Sequence, residues 1–185
     1  MKLRHASTSL RLRRGFTLVE IMVAVAILGI LIAVAVPAYQ RYQRKAEETQ
    51  LVNNLRIFSQ AFNTFAMKYG TFPGSQPVGT LPAGLVDNNG DSMQGELRDA
   101  DWTSTWKGGQ YKWDGWVVGT SSSSKPSFTG SGSTIGTVTG AISIVGTTTD
   151  TTEMTEIDAI IDDGNLSTGS FQQTGSNQYT YVVQK

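Results

Sequence analysis

The chain has 185 residues, with fifteen basic and fifteen acidic side chains, no cysteine and a single histidine, His5. Without cysteine it forms neither a disulfide framework nor a thiolate metal site. Five basic residues and no acid lie within residues 1–15, so removal of this leader would leave ten basic against fifteen acidic residues, a net charge of about −5. This negative net charge argues against binding to the phosphate backbone of a nucleic acid as the main activity. It would also contain no imidazole, and we therefore predict that the protein is not an enzyme.

A continuous apolar run extends from Phe16 to Val36. It holds 21 residues, and Glu20 is its only ionisable residue. A helix needs about 20 mostly apolar residues to cross a hydrocarbon layer, so the run predicts a transmembrane helix. An ordinary signal peptide is the alternative, but its apolar core would be shorter and would contain no acid. The basic leader predicts a cytoplasmic N-terminus and a C-terminal part on the opposite side of the membrane.

Residues 13–20, with the sequence RRGFTLVE, closely resemble the processing motif of type IV prepilins and type II secretion prepseudopilins. In that family a prepilin peptidase cuts between the glycine and the phenylalanine on the cytoplasmic side and methylates the new N-terminus. The resemblance implies cleavage between Gly15 and Phe16, N-methylation of Phe16, and an assembly role for Glu20 as the acidic fifth residue of the processed chain.

The position of Glu20 within an apolar run also predicts that its carboxylate has an interaction partner. An unpaired carboxylate inside a bilayer is unfavourable by several kcal/mol, so an acid at this depth is by default a functional group. Cleavage after Gly15 would create a positively charged amine on Phe16, one helical turn away. We predict that Glu20 pairs with this amine on a neighbouring copy and so sets the axial register of the assembly. The alternative is that Glu20 lies close enough to the headgroups to be hydrated.

The helical pattern continues beyond Pro37 as far as Gly70, where glycine predicts a stop. In this half, residues 37–70, large apolar residues recur at intervals of four and three and share one face. They are Leu51, Leu55, Phe58, Phe62, Phe65 and Tyr69. The stripe predicts that the helix packs on its own C-terminal domain. A coiled coil with another chain is the alternative, although the stripe lasts barely three heptads.

All four tryptophans lie between Trp102 and Val118. An aromatic row of this kind would suit carbohydrate binding or an adhesive contact. Because large rings bury about 150 to 250 Å² each and a small domain needs that area, we interpret the segment as core or as a subunit interface.

The remainder of residues 71–185 predicts one small globular domain. Loops are predicted at residues 71–100, 119–134 and 165–177. Strands are predicted at residues 135–145, with a break at Gly140, and at residues 178–184. A short helix is predicted to start at Asp150, with Glu153 as its capping-box partner, and to end at Gly164.

Calcium is the one cofactor that the sequence suggests, and two acidic groups are candidates. Residues 87–91, DNNGD, space their oxygens as calcium loops do. However, Ser92 stands where the glycine is expected and Arg98 where the bidentate glutamate is expected, so a plain turn is the preferred interpretation.

The second group surrounds the end of the predicted short helix. Its members are Asp158, Asp162, Asp163 and Asn165, all hard oxygen ligands, which favour calcium over a transition metal. Major pseudopilins often carry a calcium site in a C-terminal loop, although their ligand motif is not clearly present here. The alternative is a solvated acidic helix end, which is electrostatically poor at a C-terminus.

Together these patterns predict a pilin-like α+β fold, with a long helix, transmembrane and then amphipathic, packed on a small antiparallel sheet. The predicted divisions are the leader 1–15, the transmembrane and assembly helix 16–36, the amphipathic half 37–70 and the domain 71–185. The resemblance implies a structural subunit of a pilus-like filament in the inner membrane. Its implied partners are prepilin peptidase, other pilins or pseudopilins, an inner-membrane assembly platform, and membrane lipid before assembly.

Two branches of the family remain open at this point. Many type IV pilins close a C-terminal loop with a disulfide, which a chain without cysteine cannot do. We therefore favour a type II secretion pseudopilin. The alternative is a major or minor pilin of a type IV pilus, with an adhesive or ligand-binding C-terminal domain.

Overall fold

A computed structural model describes residues 15–85, 97–117, 125–128 and 133–185 of the chain. Its helices are α1 (Leu18–Tyr69), α2 (Asp99–Thr103) and α3 (Thr151–Ile161). Its strands are β1 (Gln110–Gly115), β2 (Ser127–Phe128), β3 (Gly136–Thr137), β4 (Gly140–Val145), β5 (Phe171–Gly175) and β6 (Gln178–Gln184). The chain divides into two compact units, Met1–Lys45 and Ala46–Lys185.

The first unit contains the apolar part of α1. Its large apolar side chains are all exposed, from 48% for Val36 to 79% for Phe16. Within the described part of the chain, α1 is the helix that is long and apolar enough to cross a membrane, judged by length and composition. Pro37 lies inside α1 and does not end it. The predicted long apolar helix is therefore confirmed, and its bare side chains need lipid or protein to cover them.

The second unit is built on a four-stranded antiparallel sheet with the order β1-β4-β6-β5. Strand β4 pairs with both β1 and β6, and its residues from Gly140 to Ile144 are buried. The strands β2 and β3 form a separate two-stranded sheet. Residues 46–69 of α1 pack on the larger sheet through shared aromatic contacts. This arrangement confirms the predicted α+β class with a small antiparallel sheet.

The predicted apolar stripe of α1 forms one side of the core. Leu51, Leu55, Phe58 and Phe62 are at most 1% exposed. Burial of the stripe decreases toward the end of the helix: Tyr69, the last residue of α1, is 50% exposed. Packing on the helix's own domain is thus confirmed over the coiled-coil alternative for these four residues. Gly70 follows with φ of +76°, a conformation that glycine adopts without strain, and it ends the helix as predicted.

The tryptophan segment forms the other side of the core. Trp102, Trp106 and Trp113 are buried, and Trp116 is half-buried. Trp113 stacks on Phe62 with ring centroids 3.6 Å apart and an angle of 5° between the planes. Its indole nitrogen donates a hydrogen bond of 2.8 Å to the carbonyl of Pro73. Interpretation of the segment as core is confirmed for the three buried rings, which are not available to a carbohydrate.

Several predicted boundaries were wrong. The helix α2 extends from the last two residues of the predicted loop 71–100 into the tryptophan segment, and it is held by the burial of Trp102 rather than by any helical period. The break in residues 135–145 lies at Val138 and Thr139, because Gly140 is already the first residue of β4. The helix α3 ends at Ile161, three residues before Gly164.

Strand β5 lies inside the predicted loop 165–177. Its sequence is mostly polar and lacks the apolar alternation that predicts a strand. Gln172 is 1% exposed, and its amide group both accepts from and donates to residues outside the sheet. Its carbonyl oxygen accepts from the Thr134 amide at 2.8 Å, and its nitrogen donates to the Gly169 carbonyl at 2.9 Å. A buried glutamine with satisfied hydrogen bonds replaces the apolar residue that would have signalled a strand. The two-residue strand β2 likewise falls within the predicted loop 119–134.

Candidate functional site

The predicted processing site lies just before α1. Gly15 and Phe16 are exposed and lie outside the helix, as exposed cleavage sites commonly do. Thr17 follows, and its carbonyl accepts the hydrogen bond of the Ile21 amide at 3.3 Å, as a helix-capping residue does. Glu20 stands in the first turn of α1. Cleavage between Gly15 and Phe16 would therefore leave a short exposed end immediately before the first turn.

Thr17 and Glu20 form a reciprocal capping box. The Thr17 amide and hydroxyl donate to Oε2 of Glu20 at 3.4 and 3.5 Å, and the Glu20 amide donates to Oγ1 of Thr17 at 3.2 Å. Each residue thus satisfies an amide that would otherwise lack a partner at a helix N-terminus. The sequence analysis missed this role of Thr17, although the spacing Thr-x-x-Glu signals it.

The same four residues share one surface recess. Gly15, Phe16, Thr17 and Glu20 line it together. An amine created on Phe16 would therefore lie in the recess that already contains the Glu20 carboxylate. The electrostatic attraction that we predicted between these two groups is compatible with this placement, whether the amine belongs to the same copy or to a neighbour.

The acidic residues around the end of α3 form the second candidate site. One oxygen from each of Asp158, Asp162 and Asp163 lies within 4.8 Å of the others. Asp158 is fully buried, and neither of its carboxylate oxygens has a hydrogen-bond partner among the described residues. The alternative of a solvated acidic helix end is therefore wrong for Asp158, although Asp162 and Asp163 are exposed.

The carboxylates of this cluster titrate in opposite directions. Burial, reinforced by Asp162 and Asp163, raises the pKa of Asp158 to about 8. Burial opposes the charge of Asp162, but the proton on the neighbouring Asp158 and hydrogen bonds from the amides of Ser170 and Asp163 together lower the pKa of Asp162. Without a cation, the cluster therefore holds a proton on Asp158 near neutral pH. Asn165 directs its side-chain oxygen to the Ser167 amide at 3.2 Å.

The first calcium candidate predicted from the sequence comprises residues 87–91 and Arg98. Residues 87–91, the first calcium candidate, lie outside the described residues. Arg98, the last position of that candidate, forms an ion pair with Asp101 at 2.9 Å.

A polar contact that sequence reasoning missed is centred on Lys107. It forms ion pairs with Glu47 of α1 at 3.2 Å and with Glu153 of α3. Burial opposes its charge, but hydrogen bonds to the two glutamates raise the pKa of Lys107. Glu153 therefore ties α3 to Lys107, while Asp150 caps α3 by accepting from the Thr152 amide. No sequence signal links residues so far apart in the chain.

Comparison with known proteins finds a family match in the N-terminal region of the chain. Residues 10–36 match the family model of the prokaryotic N-terminal methylation motif. The type IV major pilin protein PilE1 of Neisseria gonorrhoeae is 38% identical over 68 residues, which cover 37% of this chain and 32% of that protein. A fimbrial protein of Neisseria meningitidis serogroup A is 38% identical over 95 residues, 51% of this chain and 55% of that protein.

A third relative is the prepilin peptidase-dependent protein D of Escherichia coli, 41% identical over 58 residues, 31% of this chain and 40% of that protein. The chain thus spans between about a third and about half of the length of these curated relatives. No solved structure matches the chain significantly. The exposed apolar helix and the comparisons agree: residues 10–36 carry the prokaryotic N-terminal methylation motif, and the chain is similar to type IV pilins over part of its length.

Proposed function

We propose that the chain is a structural subunit of a pilus-like filament and not an enzyme. Prepilin peptidase cuts it between Gly15 and Phe16 and methylates Phe16, and copies then assemble through α1. The observation that carries this proposal is the bare apolar surface of α1 over residues 16–36, whose one carboxylate, Glu20, stands beside the future N-terminus. Such a surface suits two successive environments, lipid before assembly and other subunits afterward.

The same proposal assigns a location and partners. The basic leader stays in the cytoplasm, α1 spans the inner membrane, and residues 71–185 lie outside it. The partners are the peptidase, membrane lipid, other pilins or pseudopilins, and an inner-membrane assembly platform that extracts the subunit. Because α1 is apolar on all sides in its first half, each copy has surface for more than one neighbour.

Within this family we favour the type II secretion pseudopilus. The absence of cysteine supports it, since no disulfide closes the C-terminal loop. A type IV pilus is the second candidate, and the names of the relatives, a type IV major pilin and a fimbrial protein, favour it.

Deletion of the gene in its source bacterium separates the two branches. For a pseudopilin we expect exported proteins to accumulate in the periplasm while surface pili persist. Immunoblots of the culture medium and the periplasm, together with electron microscopy of the cell surface, measure both outcomes. Loss of surface pili with normal secretion would instead assign the chain to a type IV pilus.

The substitution Gly15→Val is expected to reduce leader cleavage at least about tenfold, which corresponds to about 1.4 kcal/mol in the barrier. A branched side chain at Gly15 restricts the backbone that must enter the protease and adds bulk beside the cut bond. Co-expression with a prepilin peptidase, followed by intact-mass measurement and N-terminal sequencing, reports both cleavage and methylation.

The matched control is Gly29→Val, the same exchange inside the apolar helix. Among the described residues, no atom outside the local helix lies within 4 Å of a Cβ atom added there, so cleavage should proceed as in the parent chain. Normal cleavage of the Gly15→Val variant, or a cut at another bond of the parent chain, would contradict the assignment.

A further inference from the structure

We propose that Asn165 is the acceptor of an N-linked oligosaccharide. Residues 165–167 have the sequence Asn-Leu-Ser, which is the acceptor pattern Asn-x-Ser with a middle residue other than proline. No other asparagine of the chain is followed by serine or threonine two positions later. The inference goes beyond filament assembly but rests on the orientation proposed above, since this modification occurs on surface loops of exported protein segments.

The acceptor lies in the loop between α3 and β5, residues 162–170. Asn165 and Ser167 are both exposed, whereas Leu166 between them packs against the core of the domain. The Leu166 carbonyl also accepts the hydrogen bond of the Gln173 amide at 2.8 Å. The loop is therefore anchored at the middle residue of the pattern, while the two residues that a transferase must recognise are on the surface.

Hydrogen bonds fix the shape of the loop around Asn165. Its side-chain oxygen accepts from the Ser167 amide at 3.2 Å, which is an Asx turn. Its carbonyl accepts from the Thr168 amide at 2.9 Å, and its own amide donates to Oδ1 of Asp163 at 2.9 Å. The asparagine is thus held in a tight turn without burial of its side chain.

The atoms that the modification needs are the ones that the turn leaves unused. In the part of the chain that the structure describes, Nδ2 of Asn165 has no acceptor and the Ser167 hydroxyl has no hydrogen-bond partner. The Ser167 carbonyl, in contrast, accepts from the Thr134 hydroxyl at 3.0 Å. A transferase can therefore reach the amide nitrogen and the hydroxyl without breaking a hydrogen bond of this loop.

The reaction is a glycosyl transfer from an oligosaccharide that is linked through a diphosphate to a membrane lipid. Nδ2 of Asn165 forms a bond to the anomeric carbon, and the bond from that carbon to the diphosphate oxygen breaks. The lipid diphosphate leaves with the electron pair, and one proton of the amide passes to solvent. A donor of this class suits the chain because α1 is long and apolar enough to lie in the same membrane.

A purely structural Asx turn is the competing interpretation. Asparagine is frequent in such turns because its side-chain oxygen accepts from the backbone two residues later. That role needs the oxygen of Asn165 and the backbone amide of Ser167, but neither Nδ2 nor the hydroxyl. Substitutions that change only these two groups therefore separate a modification site from a structural turn.

Mass spectrometry of the full chain, extracted in detergent from membranes of its source bacterium, tests the proposal. The intact mass is expected to exceed that of the unmodified chain by the mass of an oligosaccharide. Fragmentation of the peptide that contains Asn165 should locate the added mass on that residue. An unmodified Asn165, or a sugar found on a serine or threonine instead, would overturn the proposal.

The same spectra report on the proposed function independently, because they also show cleavage after Gly15 and methylation of Phe16. A cleaved and methylated chain with a bare Asn165 would remove the glycan and leave the filament subunit in place. A glycosylated chain that keeps its leader would do the reverse.

The key variants are Asn165→Asp and Ser167→Ala. The first keeps an oxygen for the Asx turn and removes the nitrogen nucleophile, whereas the second keeps the backbone amide of the turn and removes the hydroxyl. Both are expected to lose the added mass completely, and Ser167→Thr should retain it. Unchanged circular dichroism spectra would show that the variants are folded. Retention of the added mass in Ser167→Ala would contradict recognition of the pattern.

Asn177→Gln is the matched control. Asn177 is also exposed and lies in the turn between β5 and β6, but Tyr179 stands where the pattern requires serine or threonine. The added mass should therefore be the same as in the parent chain. Its loss from this variant would assign the sugar to the wrong asparagine and overturn the proposal.

Discussion

The substitution Glu20→Ala is expected to reduce incorporation into filaments more than about 100-fold while leaving cleavage after Gly15 intact. Inside a filament the Glu20 carboxylate would pair with the Phe16 amine of a neighbouring copy in an apolar environment. Removal of one partner from a buried ion pair costs about 3–5 kcal/mol, because the other charge stays buried without compensation. That cost recurs at each subunit contact, so the effect on assembly should far exceed any effect on the isolated chain.

Glu20 has a second role, which the experiment must separate from the first. Its carboxylate caps α1 through the Thr17 amide at 3.4 Å, so Glu20→Ala also removes a helix cap. Loss of a cap costs only about 0.5–2 kcal/mol. Two further variants divide the roles: Glu20→Gln keeps a capping acceptor and loses the charge, whereas Thr17→Ala disrupts the capping box and keeps the charge.

We expect Glu20→Gln to fail in assembly as Glu20→Ala does, and Thr17→Ala to assemble at a moderately reduced level. Sheared filament fractions, quantified against total processed subunit in the membrane, measure incorporation. Normal incorporation of Glu20→Gln would contradict the pairing with the Phe16 amine. Equal loss in Thr17→Ala and Glu20→Gln would indicate that the cap, and not the charge, is what assembly requires.

The substitution Trp113→Ala is expected to destabilise the C-terminal domain by about 3–5 kcal/mol, a large share of the stability of a small domain. Trp113 is 0% exposed, stacks on Phe62 of α1 and donates to the Pro73 carbonyl at 2.8 Å. Truncation opens a cavity between helix and sheet and leaves that carbonyl without its donor. The indole also fills the space over Gly140, where an added Cβ atom would lie 2.7 Å from the ring.

Urea unfolding in detergent micelles, followed by circular dichroism, measures this loss. Trp113→Phe should cost less than Trp113→Ala, since it keeps the ring against Phe62 and loses mainly the hydrogen bond. Met67→Ala is the matched control, because Met67 is 86% exposed and its truncation should change the free energy of unfolding by no more than about 0.5 kcal/mol. A Trp113→Ala variant within about 1 kcal/mol of the parent would show that the helix does not depend on this contact.

Local patterns predicted the long helix α1 well. The stripe from Leu51 to Phe62 and the stop at Gly70 follow from spacing and from glycine, both of which act within a few residues. Strand β6 was also predicted, at the residues where it lies. In contrast, α2 and β5 were missed, because Trp102 and Gln172 acquire their burial from residues distant in the chain.

The candidate sites divide in the same way. The RRGFTLVE motif predicts Gly15, Phe16 and Glu20 as processing and assembly residues without any structure, since recognition of a short motif and insertion into a bilayer both depend on local sequence. The sequence also grouped Asp158, Asp162 and Asp163, which are neighbours along one helix end. It could not show that Asp158 is fully buried, with no hydrogen-bond partner among the described residues, while the other two are exposed.

By itself, then, the sequence determined the processing motif, the apolar helix and its amphipathic continuation, because each depends on residues close together in the chain. Only the tertiary structure decided which tryptophans are core and that Lys107 joins Glu47 to Glu153. It also decided that Asp158, within the part of the chain described, is buried without a hydrogen-bond partner. Burial and pairing arise when distant segments meet, and an unpartnered polar group is unfavourable only once water has been excluded.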